Sequence, residues 1–269
     1  MCTDRNDLKL DPLAPSLTPY LGAATNAPVG GDERLAPELL RVEPLAQASG
    51  VIGDDDRKSV PDPTAAPWRM VCHLIIQDDA NQFHTGTGWL AGPSTIFTAG
   101  HNLLNHETGR HALRVWAVPG RNGNSAPNGQ FEGPAFDVHP RWRDADVPDC
   151  DLGVVWLAQA IGHNLGWFGF SVQPDRVLQG LLVRCSGYPD DPRRFGTQWF
   201  ADSAARVVAP QLLGYTLDTT TGQSGSPVFA QDGSGRATAV GVHVNGVTTE
   251  NLAVRVTQGI FDQMTRWWR

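Results

Sequence analysis

The stretch SPVFAQDGSGRATAVGVHV, residues 226 to 244, decides the fold class of this chain. Two short runs rich in apolar and β-branched residues, SPVFAQ at 226–231 and TAVGVHV at 238–244, flank the segment DGSG at 232–235. Tight hairpin turns favour these intervening residues, because glycine adopts positive φ without a steric penalty and Asp and Ser bond to nearby backbone groups. The stretch therefore predicts a β-hairpin.

The same pattern recurs upstream, beginning near Met70. Runs of β-branched and aromatic residues alternate with turns of Gly, Pro, Asn and Asp, which is typical of all-β proteins. These runs are MVCHLIIQ at 70–77, STIFTAGH at 94–101, LRVWAV at 113–118 and LGVVWLA at 152–158. The sequence therefore predicts an all-β fold.

The two ends of the chain depart from this pattern. Residues 1–50 hold six of the 20 prolines and show no sustained helical or alternating apolar pattern, so we interpret them as an irregular leader. One helix is predicted near the other end, because apolar residues recur there at helical spacing, namely Ile260, Phe261, Met264, Trp267 and Trp268. We expect this apolar stripe to pack on a barrel.

The composition excludes several classes of partner. A chain of 269 residues with 41% hydrophobic residues can bury one large core or two adjoining cores. The formal net charge of -7, without a basic block, argues against nucleic acid or an anionic membrane surface as a partner. No run of about 18 apolar residues is present to span a membrane. Residues 1–50 also lack the pattern of a secretory signal.

The cysteines and paired histidines predict no metal site. The four cysteines are Cys2, Cys72, Cys150 and Cys185, and Cys2 lies in the leader, which leaves an odd number in the body. This count favours small buried thiols over a disulfide framework, and the spacing matches no zinc pattern. His106 and His111 are five residues apart, whereas a zinc-binding helix needs four. We therefore expect no cofactor.

Three segments place reactive side chains in apolar surroundings. His101 follows a strand and a small-residue turn. An imidazole is the best general base at physiological pH because its pKa lies near neutrality. Asp151 opens an apolar strand, where a carboxylate can hold the tautomer of a histidine. Asp149 is an alternative, but the strand starts directly after Asp151. Ser224 lies between glycines in a turn whose N–H groups, those of Gly222 and Ser224, can converge on a developing oxyanion.

The order of these residues indicates one catalytic constellation. The chain runs His, Asp, Ser with separations of 50 and 73 residues, which suits a site shared by two β-barrels. An α/β-hydrolase has a different order and places its G-x-S-x-G turn before a helix. We therefore predict the catalytic triad His101, Asp151 and Ser224. The alternative from a different class is a peptidase fold that has lost turnover and serves as a binding module.

Several strings resemble those of the bacterial glutamyl endopeptidases of the trypsin-like superfamily. They are TAGHN, DLGVVWL, FGTQW, GQSGSPVF and GVHVNG, and the likeness runs from about Val51 to the end, with VIGDDDRKSV, PGRNG and GWFGF. The resemblance implies two antiparallel β-barrels of the chymotrypsin type with the site in the crevice between them. The expected domains are a leader over 1–50, a first barrel over 51–157 and a second barrel with the terminal helix over 158–269.

The resemblance also implies a serine endopeptidase that cuts after Glu and more weakly after Asp. The pocket residues map to Thr219 and His243, whose hydroxyl and imidazole can both donate to a buried carboxylate. The backbone of Val244, Asn245 and Gly246 is expected to pair with the substrate as an edge strand. Asp218 lies six residues before Ser224, which leaves open a trypsin-like alternative that cuts after Lys or Arg.

Two residues depart from relatives and bear on activation. Asn102 follows His101 where several relatives have a cysteine, which supports a disulfide-free form. Gln223 precedes Ser224 where trypsin has an acid that pairs with a newly cut amino terminus, so that ion pair is unavailable. The composition break near residue 50, followed by VIGDDDRKSV, which resembles the mature start of the bacterial glutamyl endopeptidases, predicts that residues 1–50 are the propeptide of a zymogen. The resemblance implies that trimming near Val51 brings a positive charge close to the pocket.

The same reading defines the partners and location that we expect. Protein or peptide substrates are predicted as partners, with neither nucleic acid nor a membrane among them. A monomer is predicted. Secretion is the predicted location, with a cytoplasmic one left open because no signal pattern is visible.

Overall fold

The computed structural model describes residues 9–22, 33–42, 51–52, 54–247 and 249–269. The rest of the predicted leader, including Cys2 and the junction at Gly50, lies outside the described residues. All statements below concern the described part.

The leader and the first half of the body form short and medium strands. In chain order these are β1 (Ser16–Leu17), β2 (Glu33–Arg34), β3 (Lys58–Ser59), β4 (Val71–Asp78), β5 (Phe83–Leu90), β6 (Thr95–Thr98), β7 (Leu104–Asn105), β8 (Arg110–Pro119), β9 (Ser125–Ala126), β10 (Phe131–Gly133), β11 (Ala135–Val138) and β12 (Gly153–Trp156). Helix α1 covers Pro140–Ala145, and 3-10 turns cover Leu39–Arg41, Trp68–Met70, Gly100–Asn102 and Pro148–Cys150.

The second half continues the β-pattern with short helices between strands. Its elements are α2 (Gly162–Leu165), β13 (Gly169–Ser171), α3 (Asp175–Leu178), β14 (Leu182–Gly187), β15 (Trp199–Ala204), β16 (Arg206–Ala209), β17 (Leu212–Tyr215), β18 (Pro227–Gln231), β19 (Ala237–Val247), β20 (Glu250–Arg255) and α4 (Gln258–Trp267). The hairpin predicted over 226–244 is confirmed, since β18 and β19 pair antiparallel across the turn at 232–235.

Two barrel-like sheets account for most of the strands, which confirms the predicted all-β, two-barrel fold. The first has the order β10-β8-β4-β5-β6-β12-β11, and the second β16-β17-β20-β19-β18-β14-β15-β3. Strand β3 lies on the second sheet although its residues fall within the segment predicted for the first barrel. One pairing, β13 with β19, is parallel, where antiparallel neighbours were expected.

A continuous core joins the two halves. Aromatic side chains of the first barrel, such as Trp89 and Phe97, pack edge-on against Phe168 and Phe170 of the second half. Helix α4 buries Ile260, Met264 and Trp267 of its predicted stripe in the same cluster. Phe261 is only partly buried, and Trp268 follows the helix and is exposed. Edge-to-face contacts between rings stabilise such a core beyond the area that they bury.

Helix α4 docks on the first barrel, so the predicted docking on a barrel is confirmed. The side chain of Thr257 caps its first turn by accepting from the N–H of Ile260 at 3.4 Å. At the other end, the indole of Trp156 donates to the carbonyl of Trp267 at 2.8 Å, and that of Trp268 donates to the carbonyl of Ala91 at 2.7 Å. The end of the chain is therefore fixed across the molecule.

The leader is more ordered than expected for a wholly irregular segment. Strand β1 pairs with β13, and β2 pairs with β9. Leu35, Leu39 and Val42 are buried against the first barrel, where they share a cluster with Ile75 and Trp116. The described parts of the leader therefore cover apolar surface of the body, and this burial stabilises their position.

Candidate active site

His101 and Asp151 form a doubly hydrogen-bonded pair. The imidazole lies in the 3-10 turn Gly100–Asn102 after β6, and Asp151 lies between the turn Pro148–Cys150 and β12. One carboxylate oxygen of Asp151 accepts from the backbone N–H of His101 at 2.8 Å, and the other contacts Nδ1 at 2.7 Å. Space is tight at Gly100, since a Cβ would lie 2.8 Å from Cδ1 of Trp142 and 3.0 Å from Oδ1 of Asp151. The structure pairs His101 with Asp151 and not with Asp149.

The pair has the electrostatics of a general base. Burial lowers the pKa of His101, but the charge of Asp151, its hydrogen bond and the charge of Glu107 outweigh that effect and raise the pKa above its usual value. The contact with Asp151 fixes the proton on Nδ1, so Nε2 is left to accept a proton. The side chain of Asp151 is only 8% exposed, whereas that of His101 is 27% exposed, so the carboxylate is shielded from bulk water while the imidazole faces the cleft.

Ser224 lies in the same cleft of about 500 Å³, on a turn between the two barrels. Its carbonyl accepts from the N–H of Thr87 and from the side-chain amide of Asn102, both at 2.9 Å. Gly225 has φ of 90°, and a Cβ there would lie 2.1 Å from the carbonyl of Thr87. The segment Thr220–Gly225, which we call the nucleophile turn, therefore packs directly onto the first barrel. Among the described residues, no hydrogen bond joins the Ser224 hydroxyl to His101.

The turn Thr220–Gln223 aims the N–H of Gly222. The N–H of Gln223 donates to the carbonyl of Thr220 at 3.0 Å, and Gly222 has φ of 89°, as in a type II turn. The carbonyl of Thr221 accepts from the N–H of Asp190 at 2.7 Å. Because the two groups of a trans peptide point in opposite directions, the N–H of Gly222 points away from Asp190. Neither this N–H nor that of Ser224 donates within the described residues, so both can receive an oxyanion.

Both predicted pocket side chains line the cleft and are already hydrogen-bonded. The hydroxyl of Thr219 donates to the Oδ1 atom of Asn251 at 2.8 Å. Nδ1 of His243 lies 2.7 Å from the hydroxyl of Tyr215. Burial lowers the pKa of His243 to about 4, with a further contribution from the positive charge of His101, so the ring is neutral near pH 7. A substrate carboxylate would have to take the hydroxyl of Thr219 from Asn251, whereas Nε2 of His243 has no hydrogen-bond partner among the described residues and is left for the substrate.

Asp218 does not line the cleft. Its two carboxylate oxygens accept from the backbone N–H groups of Ile52 at 2.6 Å and Asp56 at 2.7 Å. Its own N–H donates to the side chain of Asp56 at 3.1 Å. The side chain is 1% exposed, so it binds the start of the body instead of presenting an acid to a substrate. The sequence position of Asp218 alone could not show whether its side chain faces the substrate pocket or the backbone N–H groups at the start of the body.

The segment 244–246 lies along the cleft on β19. The pairing of β19 with β18 ends at Val242, whereas the pairing with β20 continues after a register shift between His243 and Asn245. One side of Val244, Asn245 and Gly246 is therefore left without β18. The N–H of Gly246 donates to the side chain of Asn245 at 2.8 Å. A substrate strand has room to pair here once that local bond opens.

Two site residues were missed by the sequence reasoning. Asn102, interpreted above only as a missing cysteine, donates to Thr98 as well as to the carbonyl of Ser224, both at 2.9 Å. The hydroxyl of Thr87 donates to the carbonyl of Gly222 at 2.9 Å and accepts from the N–H of Tyr188 at 3.0 Å. Both fasten the nucleophile turn to the first barrel. The position of Asn102 next to His101 was the one available signal.

Within the described residues, the thiols, the possible metal ligands and the helices form no additional site. Cys72, Cys150 and Cys185 are buried and free, and burial raises the pKa of the Cys185 thiol to about 12. Across the described ranges, no group of three or more His, Cys, Asp or Glu is arranged to hold a metal ion. Within the same ranges, no helix has the length and apolarity needed to cross a membrane.

Comparisons with known proteins agree with this geometry. The family profile described as Trypsin matches residues 59–265. The chain is 36% identical over 224 residues to a glutamyl endopeptidase of Bacillus licheniformis, covering 81% of this chain and 68% of that protein. It is 32% identical over 247 residues to a protein of Bacillus subtilis named extracellular metalloprotease, covering 91% and 77%.

Solved structures show the same likeness. A structure described as Glu endopeptidase in complex with MPD matches with a TM-score of 0.70 and 28% identity, covering 80% of this chain and 98% of that one. The protease Anisep from Arthrobacter nicotinovorans matches with a TM-score of 0.64 and 19% identity, covering 77% and 98%. At 19% identity the second likeness concerns the fold alone.

Proposed function

The chain belongs to the trypsin family and is a serine endopeptidase, and from this premise we propose that Ser224, His101 and Asp151 catalyse cleavage after Glu, and more weakly after Asp. The substrates are proteins or peptides. The single observation that supports the catalytic assignment most is the cleft that holds Ser224 together with the hydrogen-bonded pair of His101 and Asp151.

The proposed reaction proceeds through an acyl-enzyme. The hydroxyl of Ser224 attacks the carbonyl carbon of the scissile bond, and Nε2 of His101 takes its proton and then passes it to the leaving amine. Asp151 stabilises the imidazolium that forms. The N–H groups of Gly222 and Ser224 stabilise the oxyanion. Water then attacks the acyl group by the reverse of these steps, with His101 again as the base. The hydrogen bond from Ser224 to His101 forms when substrate binds.

The preference for Glu is supported by the contents of the pocket. Thr219 and His243 face the cleft, whereas Asp218 is bound to backbone N–H groups of the body. The acid that a Lys- or Arg-specific pocket needs is therefore already engaged elsewhere. The likeness to a glutamyl endopeptidase of Bacillus licheniformis supports the same substrate class. Thr219 and His243 would bind the glutamate carboxylate, and the backbone of 244–246 would align the peptide.

Four further parts complete this proposal. We propose that the leader over 1–50 is removed on activation, that the barrels divide near residue 157, that the enzyme is secreted and that it acts as a monomer. Secretion is supported by the likeness to an extracellular protein of Bacillus subtilis. The division is supported by the two sheets, whose strands lie mainly on either side of that residue.

Mapping of cleavage sites in a denatured protein mixture by mass spectrometry tests the function. We expect most cuts after Glu, a minority after Asp and no cuts by the Ser224→Ala variant. Predominant cleavage after Lys or Arg would refute the proposed specificity. Absence of cuts by the trimmed chain, together with no labelling by a fluorophosphonate, would support the binding-module alternative.

A further inference from the structure

A buried arginine that does not line the cleft contacts the nucleophile turn. The side chain of Arg57 is 1% exposed, and its guanidinium donates twice to Asp55, from Nε at 2.9 Å and from Nη2 at 2.8 Å. This two-point contact fixes the plane of the guanidinium. The remaining nitrogen, Nη1, donates to the hydroxyl of Thr220 at 2.7 Å and to the Oε1 atom of Gln223 at 3.2 Å.

These contacts hold the two ends of one turn. Thr220 and Gln223 are its first and last residues, and the N–H of Thr220 also donates to Oε1 of Gln223 at 3.0 Å. The peptide that carries the N–H of Gly222 lies between them. Rotation of this peptide would exchange its N–H for a carbonyl and remove one oxyanion donor. The bond from the N–H of Asp190 to the carbonyl of Thr221 opposes that rotation, and the contacts of Arg57 fix the position and direction of the whole turn.

We propose that Arg57 is a positioning residue, which holds the turn Thr220–Gln223 with the N–H of Gly222 directed at the oxyanion. This inference rests on the proposed function. Gln223 occupies the place of an acid in trypsin, and a neutral amide cannot form an ion pair with an amino terminus. The amide here accepts a charge-assisted hydrogen bond from a side chain of the same chain, and such bonds are about twice as strong as neutral ones.

The segment that carries Arg57 is itself fastened to the second barrel. The N–H of Asp56 donates to Asp218, and β3 pairs with β15 directly after Arg57. Described parts of the leader are in place in the same structure. The turn is therefore held by a contact internal to the body, and its conformation does not depend on a new amino terminus.

Arg194 provides a matched control. Its guanidinium contacts the same acid, Asp55, at 2.8 Å and contacts Asp191 at 3.2 Å, yet it donates to no residue of the turn in the described structure. The variants Arg57→Met and Arg194→Met both remove one cation from this acidic network. They differ in contact with Thr220 and Gln223 and also in burial, since the side chain of Arg194 is 25% exposed and that of Arg57 is 1% exposed.

The experiment measures kcat and KM on a Glu peptide for the wild type and both variants, normalised by active-site titration. Arg57→Met is expected to lower kcat by roughly ten- to hundredfold with KM within about twofold, because the oxyanion forms only in the transition state. The rate of labelling by a fluorophosphonate is expected to fall in parallel, and Arg57→Lys to recover part of it. Arg194→Met is expected to keep both constants within about twofold of wild type.

Several results would overturn the proposal. An active wild type with an equally active Arg57→Met variant overturns this inference alone, whereas a wild type without peptidase activity overturns the proposed function as well. If Arg57→Met does not fold, Thr220→Val removes the acceptor with little change of shape. That variant is expected to lose about threefold or more in kcat and to be non-additive with Arg57→Lys. Additive losses, or a loss confined to KM, would contradict the positioning role.

Discussion

The nucleophile turn and the specificity pocket share one cleft but differ in how completely they are assembled. The turn is held by hydrogen bonds from the side chains of Thr87, Asn102 and Arg57. The N–H groups of Gly222 and Ser224 are left to receive an oxyanion. The pocket side chains instead bond to their neighbours, Thr219 to Asn251 and His243 to Tyr215. The two oxyanion donors therefore have no competing acceptor among the described residues, whereas the hydroxyl of Thr219 must exchange its acceptor when a carboxylate binds.

Charge makes the contrast sharper. Among the described residues that line the cleft there is no Lys or Arg, whereas Glu107 and Asp146 are both acidic. His243, with its pKa lowered to about 4, brings no charge at neutral pH. A glutamate substrate therefore enters a cleft that lacks a fixed positive charge. Catalytic competence and specificity are therefore expected to be separable in this molecule. This expectation can be tested by changing the nucleophile with the pocket intact, and by changing the pocket ligand with the nucleophile intact.

The largest effect is expected from Ser224→Ala, which removes the nucleophile and leaves the pocket unchanged. Loss of a triad member costs on the order of four to six powers of ten in rate. The affinity for a peptide product that ends in Glu is expected to stay within about twofold of wild type, measured by calorimetry. Peptidase activity above a tenth of wild type would show that another residue is the nucleophile.

The next largest effect is expected when the substrate is changed and the enzyme is left unchanged. A peptide with Gln in place of Glu loses a charge-assisted hydrogen bond worth about 1.5 to 3 kcal/mol, so kcat/KM is expected to fall by roughly ten- to hundredfold. The control is fluorophosphonate labelling, which does not use the pocket carboxylate site. Equal kcat/KM values for the two peptides would show that Thr219 and His243 do not distinguish a carboxylate from an amide.

The sequence predicts best what local chemistry dictates. The hairpin over 226–244 follows from its turn residues and flanking runs, and the contact of His101 with Asp151 agrees with the motif order. The contacts that fasten the turn could not be predicted in the same way. Arg57 is 163 residues from Thr220, so no local pattern marks their bond. Likewise, Asp218 has the spacing of a pocket acid, and only the fold shows that it binds backbone N–H groups.

The short strands of the leader were missed for a related reason. Two-residue strands such as β1 and β2 carry no alternating pattern, and their pairing depends on a partner far along the chain. The burial of Leu39 depends likewise on the surface that the first barrel offers. Cleavage near Val51 would therefore leave these contacts intact unless the leader also dissociates.

The smallest predicted effect concerns trimming, and it separates the two regions most directly. Ile52 is bound to Asp218, which is adjacent in sequence to the pocket residue Thr219, so an amino terminus at Val51 would lie close to the pocket. Its α-amino group would bring a positive charge to a cleft whose described lining includes no Lys or Arg. We expect a form that starts at Val51 to show a KM for Glu peptides about tenfold lower than the untrimmed chain, since a hydrogen bond to a charged group is worth about 1.5 to 3 kcal/mol before losses to solvent.

Fluorophosphonate labelling is the matched measurement for that form, because it reports on the nucleophile turn without using a glutamate side chain. We expect the trimmed and untrimmed chains to be labelled at rates within about threefold, since Arg57 holds the turn in both. Acetylating the new amino terminus is expected to return the KM for Glu peptides towards that of the untrimmed chain and to leave labelling unchanged. Labelling that appears only after trimming would show that the nucleophile turn, and not the pocket, is what activation completes. Two findings together would contradict a role for the new terminus. These are equal KM values before and after trimming, and amino-terminal sequencing that finds the leader still attached to the active enzyme.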